Sequence, residues 1–239
     1  MRKIAISLSK GGTGKTTTAI NLAAGLALAG SRVLLIDLDS QGHVSRALGA
    51  QAEAGLAEIL QESSKPEDVL IQAREGLWIL AGGRALAGSK RLLSMREFGG
   101  ELAVSEALEP LEGRFEYAIL DTAPGWDVLS VNALFYAEEI LAPVSLEALT
   151  LQGLLDFSQS IQAVQKYKTL ALRYILPTFL DGRVKKSQEI LEQLQRAYGE
   201  RVCSPIRYNV RLSEAPGYGQ TIFEYAPKST GAEDYHALT

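Results

Sequence analysis

An α/β fold, with a mostly parallel twisted sheet and helices on both of its faces, is predicted by three features of this 239-residue sequence. Short apolar runs recur along the chain, and stretches of helical periodicity separate them. The runs are apolar at nearly every position, which is the pattern of strands covered on both faces. No internal repeat, low-complexity tract or linker interrupts the alternation, so residues 1–239 read as a single domain.

The elements follow in order. Residues 2–7 read as the first strand. Residues 14–29 read as a helix that is apolar nearly all round (Ala19, Ile20, Leu22, Ala23, Leu26, Ala27), and Gly30 supplies its stop. A buried strand at 32–37 comes next. Further strands are predicted at 78–80, 117–121, 140–143 and 170–176. Helices are expected near 55–62, 84–97, 101–109, 127–137, 148–168 and 184–198.

Composition bounds the function. Hydrophobic residues make up 46%, ordinary for a globular chain long enough to bury one core. The single cysteine, Cys203, excludes an internal disulfide framework and an all-cysteine metal site within one chain. The first residues read as a strand, without a secretory pattern. No apolar run approaches the roughly 20 residues of a membrane span. A cytoplasmic protein is expected. The net charge is −4, yet residues 165–211 carry ten basic and four acidic side chains. Such a basic region on an acidic chain is either an electrostatic footprint or a solvated helix face.

The chemistry begins after the first strand. Ser9-Lys-Gly-Gly-Thr-Gly-Lys-Thr16 has the span of a G-x(4)-G-K-[ST] phosphate loop, with Ser9 in place of the first glycine. Glycines let backbone N–H groups point inward around phosphates, and the helix that follows adds its positive end. Lys15 is placed to reach the β and γ phosphates, Thr16 to ligate Mg²⁺ through its hydroxyl, and Thr17 to donate to the α-phosphate. A glycine-rich turn that binds nothing has no need of a lysine–threonine pair in frame. Tyr117-Ala-Ile-Leu-Asp121 is an apolar strand ending in aspartate, the Walker B pattern, and Asp121 is expected to hold Mg²⁺ through water. Strand alternation puts Asp37 and Asp39 on one side at a C-terminal strand edge, where open α/β sheets bind ligands.

Lys10-Gly-Gly-x-Gly-Lys-Thr-Thr17 resembles the deviant Walker A loop of the ParA/MinD family. Asp37-Leu-Asp39-Ser-Gln-Gly-His43 is similar to that family's Asp-x-Asp-Pro-Gln-Gly-Asn segment, with Ser40 for proline and His43 for asparagine. Leu141-Ala-Pro-Val-Ser-Leu-Glu147 with 149–155 resembles the lead into its interface helix. Residues 208–219 and 226–232 match the tail of its chromosomal ParA (Soj) group. The resemblance covers essentially the whole chain and implies a P-loop ATPase that uses ATP/ADP and Mg²⁺.

By that resemblance, Lys10 crosses a two-fold interface to a partner's nucleotide, Asp39 positions the attacking water and Asp37 supports the Mg²⁺ shell. Pro124 and Gly125 form a switch loop, and Lys10, Gly11, Gly12, Thr13, Gly14, Lys15, Thr16 and Thr17 bind the nucleotide. Adenine sits near Pro205–Asn209. His43 is expected to be a solvent-facing helix start.

In the Soj group an ATP-held homodimer binds non-specific DNA, and Arg183, Lys185, Lys186, Arg207 and Arg211 are the candidates here. A ParB-like centromere-binding or adaptor protein stimulates slow hydrolysis, in chromosome or plasmid segregation or in positioning a large cargo on the nucleoid. The alternative is a MinD-like membrane-cycling regulator of division. That needs a basic amphipathic C-terminal anchor, which Ala232–Thr239 does not offer, so no membrane contact is expected. An iron–sulfur reductase on this loop needs two cysteines per chain and fails on Cys203 alone.

Overall fold

The computed structural model describes residues 1–147 and 150–239. β1 (Arg2–Ile6) runs into the loop that opens α1 (Lys15–Leu28), and β2 (Val33–Asp37) follows. Two short helices, α2 (His43–Ala47) and α3 (Leu56–Leu60), precede a hairpin of β3 (Ile71–Arg74) and β4 (Leu77–Leu80). Next come α4 (Leu86–Ser94), α5 (Ala103–Leu108), β5 (Tyr117–Asp121), α6 (Val128–Tyr136) and β6 (Glu139–Ser145). Then α7 (Thr150–Gln165), β7 (Ala171–Thr178) and α8 (Lys185–Tyr198) complete the alternation. The tail folds as α9 (Val210–Glu214), α10 (Ile222–Tyr225) and α11 (Thr230–Leu238). Residues 148 and 149, where the helix at 148–168 and the segment 149–155 were expected to begin, lie outside the described residues.

The seven strands run in the order β3-β4-β2-β5-β1-β6-β7. Every neighbouring pair is parallel except β3 with β4. The predicted parallel sheet is therefore present, with one antiparallel edge strand that the pattern missed. Ile71 is the one strongly apolar residue of β3, and the strand is only half-buried. A tight turn with Gly76 at φ 72° joins it to β4. The tail helices were also missed, because each is short and draws its stability from packing rather than periodicity.

Continuous apolarity in the strands has the expected cause. All five residues of β2 are buried. Val33 and Leu35 join Ile4, Ile6 and Ile119 on one face, packed by α1 and by Tyr235 of α11. Leu34 and Ile36 join Ala5 and Leu120 on the other, under residues of α4 to α7 such as Leu86, Val104, Leu134 and Phe157. Alternation alone thus fixes which way the terminal aspartates project. Asp37 shares the parity of Val33 and Leu35, and Asp121 that of Ile119, so both face the side of the sheet that α1 covers. Their register is direct, with Asp37 opposite Asp121 and Asp121 opposite Ile6.

α1 is tied to the tail by buried polar contacts. The Thr18 and Tyr235 hydroxyls lie 3.1 Å apart, and the Ile222 amide donates to Asn21 Oδ1 at 2.9 Å. α11 buries Ala232 and Tyr235 against the core.

Candidate nucleotide site

The loop from β1 to α1 is shaped by Gly12 and Gly14, at φ 71° and 86°. Gly14 caps α1 in the left-handed region, and no side chain caps the helix. The first-turn N–H groups of a 14-residue helix are left without a capping side chain, and the helix dipole concentrates positive potential at them. Thr178 at the end of β7 braces the loop by donating to the Thr13 carbonyl at 3.0 Å. The Thr13 hydroxyl is itself buried with no hydrogen-bond partner among the described residues. Pro124 packs toward Gly11, and the Gly125 amide donates to the Ser9 carbonyl at 3.0 Å. The segment after Asp121 is thereby stitched to the loop.

Lys15 is buried, and its Nζ donates to the Lys10 carbonyl at 2.8 Å. Burial lowers its pKa, while Asp121 and Asp39 pull it back up. Asp121 is fully buried, and neither of its oxygens has a hydrogen-bond partner among the described residues. Burial pushes its pKa well above the carboxylate range, and Asp37 opposite pushes it further. Thr16 and Lys15 act the other way; the Thr16 hydroxyl stands near enough to favour the charged form but out of hydrogen-bond geometry. An orphaned buried carboxylate beside a threonine hydroxyl and a lysine is costly unless something cationic completes it. The donor set is all oxygen, which suits Mg²⁺.

That cost makes a prediction. In the nucleotide-free protein, Asp121→Asn removes a buried charge and is expected to raise Tm at neutral pH by about 2–4 °C per kcal/mol relieved. A raised native-state carboxylate pKa costs the fold in full above that value, and the cost fades as pH falls from it toward the ordinary carboxylate range, so the gain should shrink over that window. Differential scanning fluorimetry at several pH values checks both. An equal or lower Tm at neutral pH would show that Asp121 is already compensated.

Asp37 plays a different part. Its Oδ1 accepts from the Asp39 amide at 2.9 Å and its Oδ2 from the Val44 amide at 3.1 Å. It anchors both ends of the 39–44 loop, and burial lifts its pKa to about 6. Asp39 is half-buried at the head of that loop, and its side chain accepts from the Gln41 amide at 2.9 Å. Its carbonyl accepts from Gly42 and Gly83. Gly82 is pressed against the same turn, so that a Cβ there would lie 2.7 Å from the carbonyl oxygens of both Asp37 and Asp39. His43 is exposed at the start of α2, as expected.

Lys10 lies across the loop from Lys15. Its Nζ pairs with Glu147 at 3.1 Å, in a half-exposed contact past the end of β6. A cavity of about 340 Å³ opens beside Gly14 and Thr17 and is walled by Phe179, Ile206, Tyr208 and Asn209. Asn209 lines it, whereas Pro205 sits one residue outside the lining. Phe179 was not anticipated. It is 42% exposed, directly follows β7 and holds φ 58°, a strained value for an aromatic residue. No sequence signal marks it.

The basic candidates are brought only partly together. The Leu180–Arg207 bridge sets Arg207 near the turn that carries Arg183, Lys185 and Lys186. Several of their charges are already matched. Arg207 contacts Asp234 at 2.6 Å and Glu233 at 3.0 Å, Arg211 contacts Glu214 at 2.8 Å, and Arg183 contacts Asp181 at 2.8 Å. Lys185 approaches Glu189 only to 3.9 Å, and Lys186 has no ion pair among the described residues. Three of the neutralising carboxylates lie past residue 211, beyond the window that looked so basic in the sequence.

Comparison with known proteins places this geometry. A family model described as an AAA domain matches residues 1–174. The chromosome-partitioning ATPase Soj of Thermus thermophilus is 40% identical, covering 100% of this chain and 94% of that protein. The sporulation initiation inhibitor protein Soj of Bacillus subtilis is 36% identical, covering 97% and 94%. Among solved structures, cobyrinic acid a,c-diamide synthase of Mycobacterium smegmatis, with bound ATP analog and magnesium, has a TM-score of 0.85 at 32% identity, covering 99% and 91%. The septum site-determining protein MinD of Pyrococcus horikoshii, complexed with Mg-ADP, has a TM-score of 0.82 at 24% identity, covering 99% and 93%; at that identity the likeness is one of fold.

Proposed function

This chain belongs to the ParA/Soj family of chromosome-partitioning P-loop ATPases, and from that premise we propose that it is a slow ATP-dependent switch. ATP holds two copies face to face, the pair binds DNA without reading sequence, and a ParB-like partner stimulates hydrolysis and release. The observation that carries this reading is the meeting of uncapped α1, Lys15, Asp39 and orphaned Asp121 at one edge of the sheet.

In this reading the backbone from Lys10 to Thr17, with Gly11, Gly12, Thr13 and Gly14 at its centre, cradles the phosphates. Lys15 exchanges the Lys10 carbonyl for phosphate oxygens. Thr16 and Asp121 hold Mg²⁺, with Asp37 supporting the shell. Bound there, the ion neutralises charge on the phosphate oxygens. Asp39 accepts a hydrogen bond from the attacking water and orients it. Lys10 leaves Glu147 and reaches the phosphates of the second copy. The base occupies the cavity between Phe179 and Asn209, on the Pro205–Asn209 segment.

Arg183, Lys185, Lys186, Arg207 and Arg211 form the DNA face, with Lys186 the least encumbered. Contacts of this kind position a protein on phosphates and read no bases. The test is fluorescence anisotropy with arbitrary duplex DNA, using no nucleotide, ADP, or ATP with Asp39→Ala, at two salt concentrations. Binding is expected with ATP alone. The affinity should fall as salt rises, with a slope of about −0.9 per phosphate contacted. Replacing Arg183, Lys185 and Lys186 by alanine should flatten that slope. Binding that ignores nucleotide, or that survives the triple replacement unchanged, would overturn this assignment of the face. The membrane-cycling reading draws no support from α11, whose apolar residues Ala232 and Tyr235 are buried against α1.

A further inference from the structure

α4 and the turn after it present a stripe of exposed apolar side chains. Leu92 is 57% exposed, Met95 75% and Phe98 90%. They recur every third residue from the last turn of α4 onward. Single exposed apolar residues are ordinary on a protein surface, but three in a row at such exposure are not. Arg84, Arg91 and Arg96 flank the stripe, and none is paired with a carboxylate among the described residues. Arg2, Arg32, Arg74, Arg183, Arg207 and Arg211 all are. From 84 to 98 the chain carries four basic residues and one acidic residue.

The same helix is tied to the nucleotide edge at two points. Upstream, the Gly83 amide donates to the Asp39 carbonyl at 3.1 Å, and Leu86 starts α4 three residues on. From the middle of α4, Lys90 pairs with Asp127 at 2.6 Å. Asp127 caps α6 through the Ser130 amide and ends the segment that runs from Asp121 through Trp126. Moving α4 therefore pulls on the turn that carries Asp39 and on the loop that follows Asp121.

We propose that this face of α4 docks an amphipathic helix of a partner protein, with apolar residues bordered by aspartate and glutamate, and that docking shifts the two loops carrying Asp39 and Trp126. Leu92, Met95 and Phe98 take the apolar side of that helix, and the three free guanidinium groups take its carboxylates. An anionic bilayer has the same two chemistries but is an extended surface that would also meet Glu101, Glu106 and Glu109 beyond the stripe, whereas a single helix is only about 10 Å across and need not reach them. A nucleic-acid backbone offers nothing to the apolar side chains.

The test uses the full chain with Trp78→Phe, which leaves Trp126 as the sole tryptophan. The probe is a synthetic helix with leucines at every third or fourth position and glutamates beside them. A scrambled peptide, phosphatidylglycerol vesicles and duplex DNA form the other arms. The acidic helix is expected to bind, and the scrambled peptide to bind at least about tenfold more weakly. Leu92→Ser with Phe98→Ser, and separately Arg91→Glu with Arg96→Glu, should each cost at least about tenfold. All four residues are exposed, so unchanged circular dichroism melts are expected. Binding should shift Trp126 emission, and Lys90→Met should abolish that shift while leaving binding intact. Equal binding by the variants or by the scrambled peptide overturns the docking surface, as does capture by vesicles or DNA in place of the helix. Binding with no change in Trp126 emission overturns the link to the loops.

Discussion

Lys15→Ala is expected to lower ATP affinity by about 100-fold or more, the equivalent of two charge-assisted hydrogen bonds at roughly 1.5–3 kcal/mol each. The side chain is buried beside Asp121 and Asp39, and among the described residues its only hydrogen bond is to the Lys10 carbonyl. That bond is readily exchanged for a phosphate oxygen. Its loss also leaves the carboxylates of the site without their nearest cation, so incoming phosphates meet unopposed negative charge. Titration with a fluorescent ATP analogue measures the effect directly. A drop of only a few-fold would mean that the uncapped start of α1 carries the phosphates by itself.

The second large effect is on turnover. Asp39→Ala should slow hydrolysis by about 100-fold or more, the lower range for removing a group that handles the reacting proton or water. Nucleotide affinity should move by no more than a few-fold. The separation is favoured by how Asp39 is held. The bonds that fix the turn run through its carbonyl, to Gly42 and Gly83, and through its amide, to Asp37. Among the described residues, its side chain holds only the Gln41 amide. Alanine therefore removes the carboxylate and keeps the turn. Single-turnover hydrolysis against equilibrium nucleotide binding distinguishes the two effects, and wild-type turnover would remove Asp39 from the chemistry.

Local information made the centre of the fold and of the site readable in advance. The phosphate loop, α1 and the strands ending in Asp37 and Asp121 are set by contiguous residues, and strand parity alone turns both aspartates toward α1. What stayed hidden depends on partners distant along the chain. Arg207 looked free until Asp234 of α11 folded onto it, and Lys10 until Glu147 did. β3 is an edge strand with one strong apolar residue, so its pairing with β4 decides it rather than its own pattern. Phe179 sits where the end of β7 meets the phosphate loop, a contact that no window of sequence contains. The stripe on α4 was hidden for the opposite reason. Nothing in the order of residues distinguishes Leu92, Met95 and Phe98 from buried apolar residues, and the fold leaves them on the surface.

The packing of Gly82 bears on how this protein can be varied. Any side chain there would collide with the main chain that carries Asp37 and Asp39, so even alanine should distort that turn. Ser40 and His43 sit on the same turn with partial or full access to solvent. Under random mutagenesis with selection for altered turnover, tolerated changes should accumulate at 40 and 43 and be missing at 82. On the proposed function, the timing of hydrolysis is thus open to adjustment from the outer side of the loop and closed to it from the inner.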